Sequence, residues 1–303
     1  MTVYNFGSIN LDHLYKVHHF VRPGETMASE GYQMQLGGKG ANQSIALAKA
    51  NAPVRHVGAV HLDDKSVLDQ LSSIGVDTSL IAQTKTPTGH AIIQLNKEAE
   101  NAIILFAGAN HTLSEEQVDG VIDHIAMNDW VLLQNETNQI DYIVKQAHKK
   151  GIPVAFNPAP MDVELTQSLM PFIRLLVVNE VEAMDLMQVA TIDAAKELLQ
   201  QQYPNLAILM TLGSEGVRYL CGEEEVYVPA FKVTPVDTTA AGDTFIGFCL
   251  AALMEKTSIE DALARACAAS ALCVTRLGAA PAIPSKQEVD DFLIEESTST
   301  EHK

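Results

Sequence analysis

Trp130-Val131-Leu132-Leu133-Gln134, followed by the helical pattern Ile140–Lys150 and then Pro153-Val154-Ala155-Phe156-Asn157, reads as strand, helix, strand. Each strand segment is a short apolar run rich in β-formers, and the segment between them carries apolar residues at helical spacing. The same rhythm continues outward in both directions. Further strands are expected over Val3–Ser8, Val54–Val60, Leu175–Val178 and Ala207–Thr211, and further helices over Ala41–Ala50, Glu115–Ile125, Ile192–Gln202 and Ile259–Thr275. Strands alternating with helices predict an α/β fold, a doubly wound and mainly parallel sheet flanked by helices. Two stretches break the rhythm, Asp12–Leu36 and Gly89–Phe106. The second reads as paired antiparallel strands around the polar turn Asn96-Lys97-Glu98-Ala99-Glu100. Together they predict a small β-sheet lid over one edge of a single domain spanning 1–294, with lid segments 12–36 and 89–106. A sheet so exposed needs a ligand or a second copy to cover it. The polar tail Glu295–Lys303, rich in Ser and Thr, is expected to be disordered.

The chain has 303 residues, 47% of them hydrophobic, enough to bury a sizeable core. Its formal net charge of −18 argues against a nucleic-acid partner and a basic membrane-surface role, so any bound phosphate must be held locally. Cys221, Cys249, Cys267 and Cys273 show no CxxC spacing, which suits buried thiols in a reducing compartment. Met1–Gly7 lacks the basic and apolar regions of a signal peptide, and apolar runs such as Thr244–Met254 are too short for a membrane span. A cytoplasmic protein is expected.

Val236-Asp237-Thr238-Thr239-Ala240-Ala241-Gly242-Asp243-Thr244-Phe245 opens straight into an apolar helix. Ala240, Ala241 and Gly242 leave backbone N–H groups bare at a helix N-terminus, where the dipole favours an anion, and Asp243 stands beside them. Asp243 also fits a plain helix cap. Asn10 and Asp12 lie two residues apart, so in extended backbone both point to one side and can grip a hydroxyl-rich ligand; a polar strand exit is the alternative. Leu36-Gly37-Gly38-Lys39-Gly40-Ala41-Asn42-Gln43 leads glycines into a helix with Lys39 and Asn42 at its start. It lacks the spacing of a Walker loop, and three glycines, a lysine and an asparagine within six residues favour binding over a bare turn.

Glu136 follows a strand at the carboxyl end, where open α/β sheets hold ligands, though a solvated loop acid has the same pattern. Asn179-Glu180-Val181-Glu182 has the spacing of a capping box, and its amide and carboxylates also suit a hydrated Mg²⁺. Thr211-Leu212-Gly213-Ser214-Glu215-Gly216 fits a hairpin turn and a nucleotide loop equally.

Taken in order, these motifs resemble the ribokinase family of PfkB carbohydrate kinases, over nearly the whole chain from about Val3 to Pro284. The resemblance implies a ribokinase-like fold and ATP-dependent phosphorylation of the 5-hydroxyl of D-ribose. It implies that Asn10, Asp12, Gly38, Lys39, Gly40, Ala41, Asn42, Glu136 and Asp243 hold the sugar and that Asp243 is the catalytic base. Ala240, Ala241 and Gly242 would form the anion hole with it. Asn179, the loop Thr211, Leu212, Gly213, Ser214, Glu215 and Gly216, together with Gly242 and Asp243, would contact ATP, and Glu182 would support Mg²⁺. A monovalent cation, normally K⁺, would lie beside Asp237, Thr239, Cys273, Arg276, Gly278 and Ala282. Ala282 stands where a serine is usual, so one oxygen ligand is missing. Cys267 stands where some relatives place a histidine near the adenine. The lid is expected to close on the sugar and to pair two copies into a homodimer. The rival readings are another sugar or nucleoside kinase of this fold, and a non-catalytic sugar-binding regulator, which would be expected to lack the base or the anion hole.

Overall fold

The computed structural model describes residues 1–98 and 100–300; Ala99 of the lid turn and residues 301–303 of the tail lie outside the described residues. Strand β1 (Val3–Phe6) runs into β2 (Asn10–Lys16) and β3 (Gly31–Gly37), followed by helix α1 (Lys39–Lys49), β4 (Val54–His61), α2 (Lys65–Ile74) and β5 (Ile81–Thr84). Strands β6 (Gly89–Leu95) and β7 (Asn101–Phe106) precede α3 (Glu115–Ile122). The alternation β8 (Trp130–Gln134), α4 (Ile140–Lys149), β9 (Val154–Asn157), α5 (Val163–Leu169), β10 (Leu175–Asn179) follows, then α6 (Glu180–Met187), α7 (Ile192–Gln202) and β11 (Ala207–Thr211). A hairpin of β12 (Gly216–Cys221) and β13 (Glu224–Pro229) leads to α8 (Ala241–Met254), α9 (Ile259–Val274) and α10 (Lys286–Thr300).

Nine strands form the main sheet in the order β13-β12-β11-β10-β9-β8-β1-β4-β5. It is parallel from β11 to β5, and β12 and β13 are antiparallel additions at one edge. Helices cover both faces, so the strands are apolar on both sides, as parallel sheets require. Val3 packs on the side of α1, α8 and α9 with Ile45, Phe248 and Leu263. Tyr4 and Phe6 pack on the other side with Val118, Ile143, Phe156 and Leu199. Between α1 and α8 the approach is close. A Cβ on Gly247 would lie 2.4 Å from the Ala46 Cβ, so glycine is what allows the contact.

The expected lid is present as a separate four-stranded sheet, β3-β2-β6-β7. Its first strand already includes Asn10, whereas β1 ends at Phe6, earlier than the expected Ser8. The helix expected over Glu115–Ile125 stops at Ile122, with Asp123 as its C-cap. The tail also departs from expectation: α10 continues to Thr300, and the hydroxyls of Ser297 and Thr298 donate back to carbonyls one turn earlier, at Ile294 and Glu295. The helix is anchored by its first turns, where Val289 is buried and Phe292 and Leu293 pack on the core, and once nucleated it propagates through the polar residues that follow. Among the described residues no helix is long and apolar enough to cross a membrane.

Candidate active site

The site lies at the carboxyl ends of the central strands, between the main sheet and the lid. Helix α8 begins there. Its N-cap, Ala240, takes the left-handed conformation at φ 59°, which turns the chain sharply so that the first turn faces a cavity. Ala241 and Gly242 line two contiguous cavities of about 240 and 230 Å³. The second is also lined by Lys39, Asn179, Glu182 and Asp243. A Cβ on Gly242 would meet nothing within 4 Å, so its backbone is open to the cavity.

Asp243 is buried and held by two amide donors. Asn42 Nδ2 donates to one carboxylate oxygen at 3.0 Å and Gln43 Nε2 to the other at 2.9 Å. Burial pushes its carboxyl above the usual range, while Lys39 and the two amides pull the other way and Glu136 adds a push upward. A carboxylate so placed is a stronger base than a solvated one.

The glycine-led turn before α1 meets the exit of β1. Gly40 packs so tightly that a Cβ there would sit 2.4 Å from the Gly7 Cα, and the Ala41 N–H donates to the Ser8 carbonyl. Gly38 has φ 90°, a conformation glycine adopts without strain. Glu136 accepts from the Lys39 N–H at 3.1 Å and from the Ser8 hydroxyl. Asp12 lies against Gly37, where any Cβ would overlap its carboxylate. Burial and the nearby Glu136 raise the Asp12 pKa to about 6. Asn10 accepts through Oδ1 from Asn110 Nδ2 at 2.8 Å, and Asn110 also receives the Ile9 N–H. Asn42 Oδ1 is a buried acceptor with no hydrogen-bond partner among the described residues.

On the opposite side, Asn179 caps α6 in a full capping box with Glu182, and both side chains still line the cavity beside Gly242. The capping role is therefore met, and capping does not remove either residue from the cavity wall. Thr211–Gly216 forms the turn between antiparallel β11 and β12, and Thr211, Gly213, Ser214 and Gly216 also line the larger cavity. Two of its members are not placed to touch a ligand there. Leu212 is buried with Leu220 in the core, and Glu215 is tied by its carbonyl to the Tyr227 hydroxyl, outside the lining residues. Cys267 lines the same apolar cavity with Phe231, Val233 and Ala271.

The expected cation residues cluster. Asp237 accepts from the Thr239 N–H and hydroxyl and from the Gly278 N–H. The Cys273 thiol lies 3.7 Å from the Thr239 carbonyl, and the Cys273 carbonyl takes the Arg276 N–H. The Arg276 side chain turns away to Glu288 at 2.7 Å, and Ala282 is buried and brings no hydroxyl.

The residues that sequence reading passes over are Ser8, Gln43, Asn110 and Asn157, which support the named groups from behind. Their signal is polarity at positions where the surrounding pattern is apolar or the backbone is buried.

A buried base beside bare helix-terminal amides, facing sugar-sized polar groups on one side and an apolar slot on the other, defines a phosphotransferase acting on a hydroxyl. The model of the pfkB family carbohydrate kinases matches residues 2–286, and the chain belongs to that family. It is 37% identical to the ribokinase of Haemophilus influenzae over 95% of this chain and 96% of that one. It is 32% identical to the deoxyribokinase of Salmonella typhi over 97% and 99%. The structure of Arabidopsis thaliana ribokinase complexed with ribose and ATP superposes with a TM-score of 0.85, at 30% identity over 96% of this chain and 98% of that one.

Proposed function

We propose that the chain transfers the γ-phosphoryl group of ATP to the 5-hydroxyl of D-ribose. The observation that carries this reading is the Asp243 carboxylate, buried at the first turn of α8 between two amide donors and adjoining the open backbone of Ala240–Gly242. Asn10, Asp12, Asn42, Lys39 and Glu136 hold the sugar hydroxyls, with Gly38 at the turn beside them; Gly40 and Ala41, packed against the exit of β1 and the core, shape that turn instead of touching the sugar. Asp243 takes the hydroxyl proton as the oxygen meets the γ-phosphorus in line, and the amides of residues 240–243 receive the charge on the transferring group. The nucleotide lies along Thr211, Gly213, Ser214 and Gly216, with its base in the apolar slot.

Mg²⁺ fits this donor set. Glu182 keeps one carboxylate oxygen outside the capping box, which suits an ion that retains most of its waters and binds chiefly to substrate phosphates. Bound there, it would neutralise phosphate charge. The cation cluster fits K⁺ through Asp237 and backbone carbonyls, with one hydroxyl fewer at Ala282. The four free thiols, three of them buried, support a reducing compartment such as the cytoplasm.

The lid supports a homodimer. His13, Tyr32, Met34, Ile92, Ile104 and Phe106 fall on one face by their register, opposite Asp12, and the large apolar members of that row are exposed.

Phosphorylation assayed across D-ribose, 2-deoxyribose, D-fructose and adenosine, with Mg²⁺ and with K⁺ exchanged for Na⁺, tests the reading. Preference for ribose is expected. Preference for 2-deoxyribose would move the assignment within the family, and binding without turnover on any substrate would sink it.

A further inference from the structure

Beneath Asp243 a row of polar side chains crosses the otherwise apolar layer between the sheet and α1. Gln43 Nε2 donates to Asp243 at 2.9 Å and to Asn157 Oδ1 at 3.2 Å. Gln134 Nε2 donates to Gln43 Oε1 at 2.6 Å and to Asn5 Oδ1 at 2.9 Å. Asn5 Nδ2 donates to the Gly40 carbonyl and to Ser44 Oγ, each at 2.8 Å. Ser44 Oγ meets His56 Nδ1 at 2.8 Å, and His56 Nε2 meets the Gly7 carbonyl at 3.0 Å. Gln43, Gln134, Asn5, Ser44 and His56 are all fully buried, and none of the five lines either cavity.

Counting protons fixes every orientation in this row. The Gly7 carbonyl can only accept, so His56 carries its proton on Nε2 and accepts at Nδ1; burial holds the ring neutral, with its pKa down at about 4. Ser44 must therefore donate to His56 and accept from Asn5. Asn5 must then turn its carbonyl oxygen to Gln134, whose amide nitrogen lies between two acceptors and cannot flip without setting oxygen against oxygen. Its donation into Gln43 Oε1 bars Gln43 from flipping in turn.

We propose that Gln43 is a positioning residue for phosphoryl transfer, and that Gln134, Asn5, Ser44 and His56 fix its amide so that an N–H, never the carbonyl oxygen, meets Asp243. This rests on the reading of Asp243 as the base. Pinned by one donor on each oxygen, the carboxylate keeps a lone pair aimed at the substrate and need not reorient during transfer. A packing role alone accounts poorly for the row. Apolar side chains would fill the same layer without burying Gln134 Oε1, which has no hydrogen-bond partner among the described residues.

The test compares Gln43→Met, Gln134→Met and Asp243→Asn in kcat, sugar KM and thermal unfolding of the full chain. Gln43→Met should lower kcat by about 10- to 100-fold while the sugar KM stays within about threefold, because a charge-assisted donor to the reacting carboxylate is lost. Gln134→Met touches neither Asp243 nor the cavities and should lower kcat in the same sense by about 5- to 10-fold; it serves alone if Gln43→Met does not fold. In both, the acid limb of the kcat profile should move to higher pH, since a hydrogen bond that favours the ionised base has weakened while Lys39, Glu136 and Cys273 still face it. Unchanged kcat, or losses that merely follow the unfolding temperature with the acid limb unmoved, would overturn the positioning role. An active Asp243→Asn would instead sink the base assignment itself, whereas an inactive Asp243→Asn beside a fully active Gln43→Met would sink only this inference.

Discussion

Asp243 and Asp12 are two carboxylates of one site to which the proposed reaction gives different duties, and their surroundings separate them. Asp243 is enclosed and receives two amide donors, so replacing it by Asn keeps the shape and removes the base. Asp243→Asn should fold and bind sugar with kcat down by about 10²- to 10⁴-fold, read by steady-state kinetics beside calorimetric binding. Asp12 sits close to Glu136 with little to offset the burial of its charge, and its pKa rises from 3.8 to about 6. The folded form therefore binds the proton more tightly than the unfolded chain does. The stability linked to that proton is fully present below pH 3.8 and is lost as pH rises through 6. Asp12→Asn should accordingly raise the unfolding temperature at pH 7.5, by a free energy on the order of 2 kcal/mol, and the gain should vanish towards pH 4. Equal gains at both pH values would contradict the assigned cause. On the proposed reading, in which Asp12 holds a sugar hydroxyl, the same variant should also weaken sugar binding.

The start of α8 is the element on which the proposed chemistry turns. Ala240 at φ 59° and Gly242 with an open Cβ direction belong to one device: the first turns the chain, the second leaves room for an anion. Gly242→Ala should leave the unfolding temperature unchanged or raise it, since alanine favours a helix over glycine by up to about 1 kcal/mol. Turnover should nonetheless fall by about 100-fold or more, because the added methyl projects into the cavity where the amides are proposed to act. Five residues along the same helix the sign reverses. Gly247→Ala should cost about 1–3 kcal/mol by chemical denaturation, since its methyl meets Ala46 across the α1–α8 contact. The sequence from Val236 to Phe245 makes the helix start and its anion-binding character legible, because small residues before an apolar helix carry a local signal. What it does not reveal is that Asn42 and Gln43, two hundred positions away, donate to the two oxygens of Asp243. Nor does spacing expose the row under it: Asn5 and Gln134 each stand as one polar residue in or at the end of an apolar strand, and only the pairing of β8, β1 and β4 brings them together.

At the scale of the whole molecule, the alternation of strands and helices makes the main sheet legible, and the break in that alternation makes the lid legible. The antiparallel edge β12–β13 and helices α2, α5, α6 and α10 are harder to read, since their sequences are short or polar and tertiary contacts decide them. The lid's apolar row leads to a further expectation. Ile104, 64% exposed, stands in that row, and Ile104→Asp should convert a dimer into monomers by sedimentation at micromolar concentration. A wild-type chain already monomeric under those conditions would refute the pairing. The position of β1 has a consequence of another kind. The first strand made, β1 is an interior strand of the sheet, third from one edge, and its two neighbours, β4 and β8, end at His61 and Gln134. On a ribosome adding roughly 5–20 residues per second, β1 and β4 therefore spend several seconds paired along a bare edge before the other neighbour emerges. Whatever shields that edge from nearby nascent chains, whether the tunnel mouth, the intervening lid strands or a holdase, becomes part of how this enzyme reaches its native state.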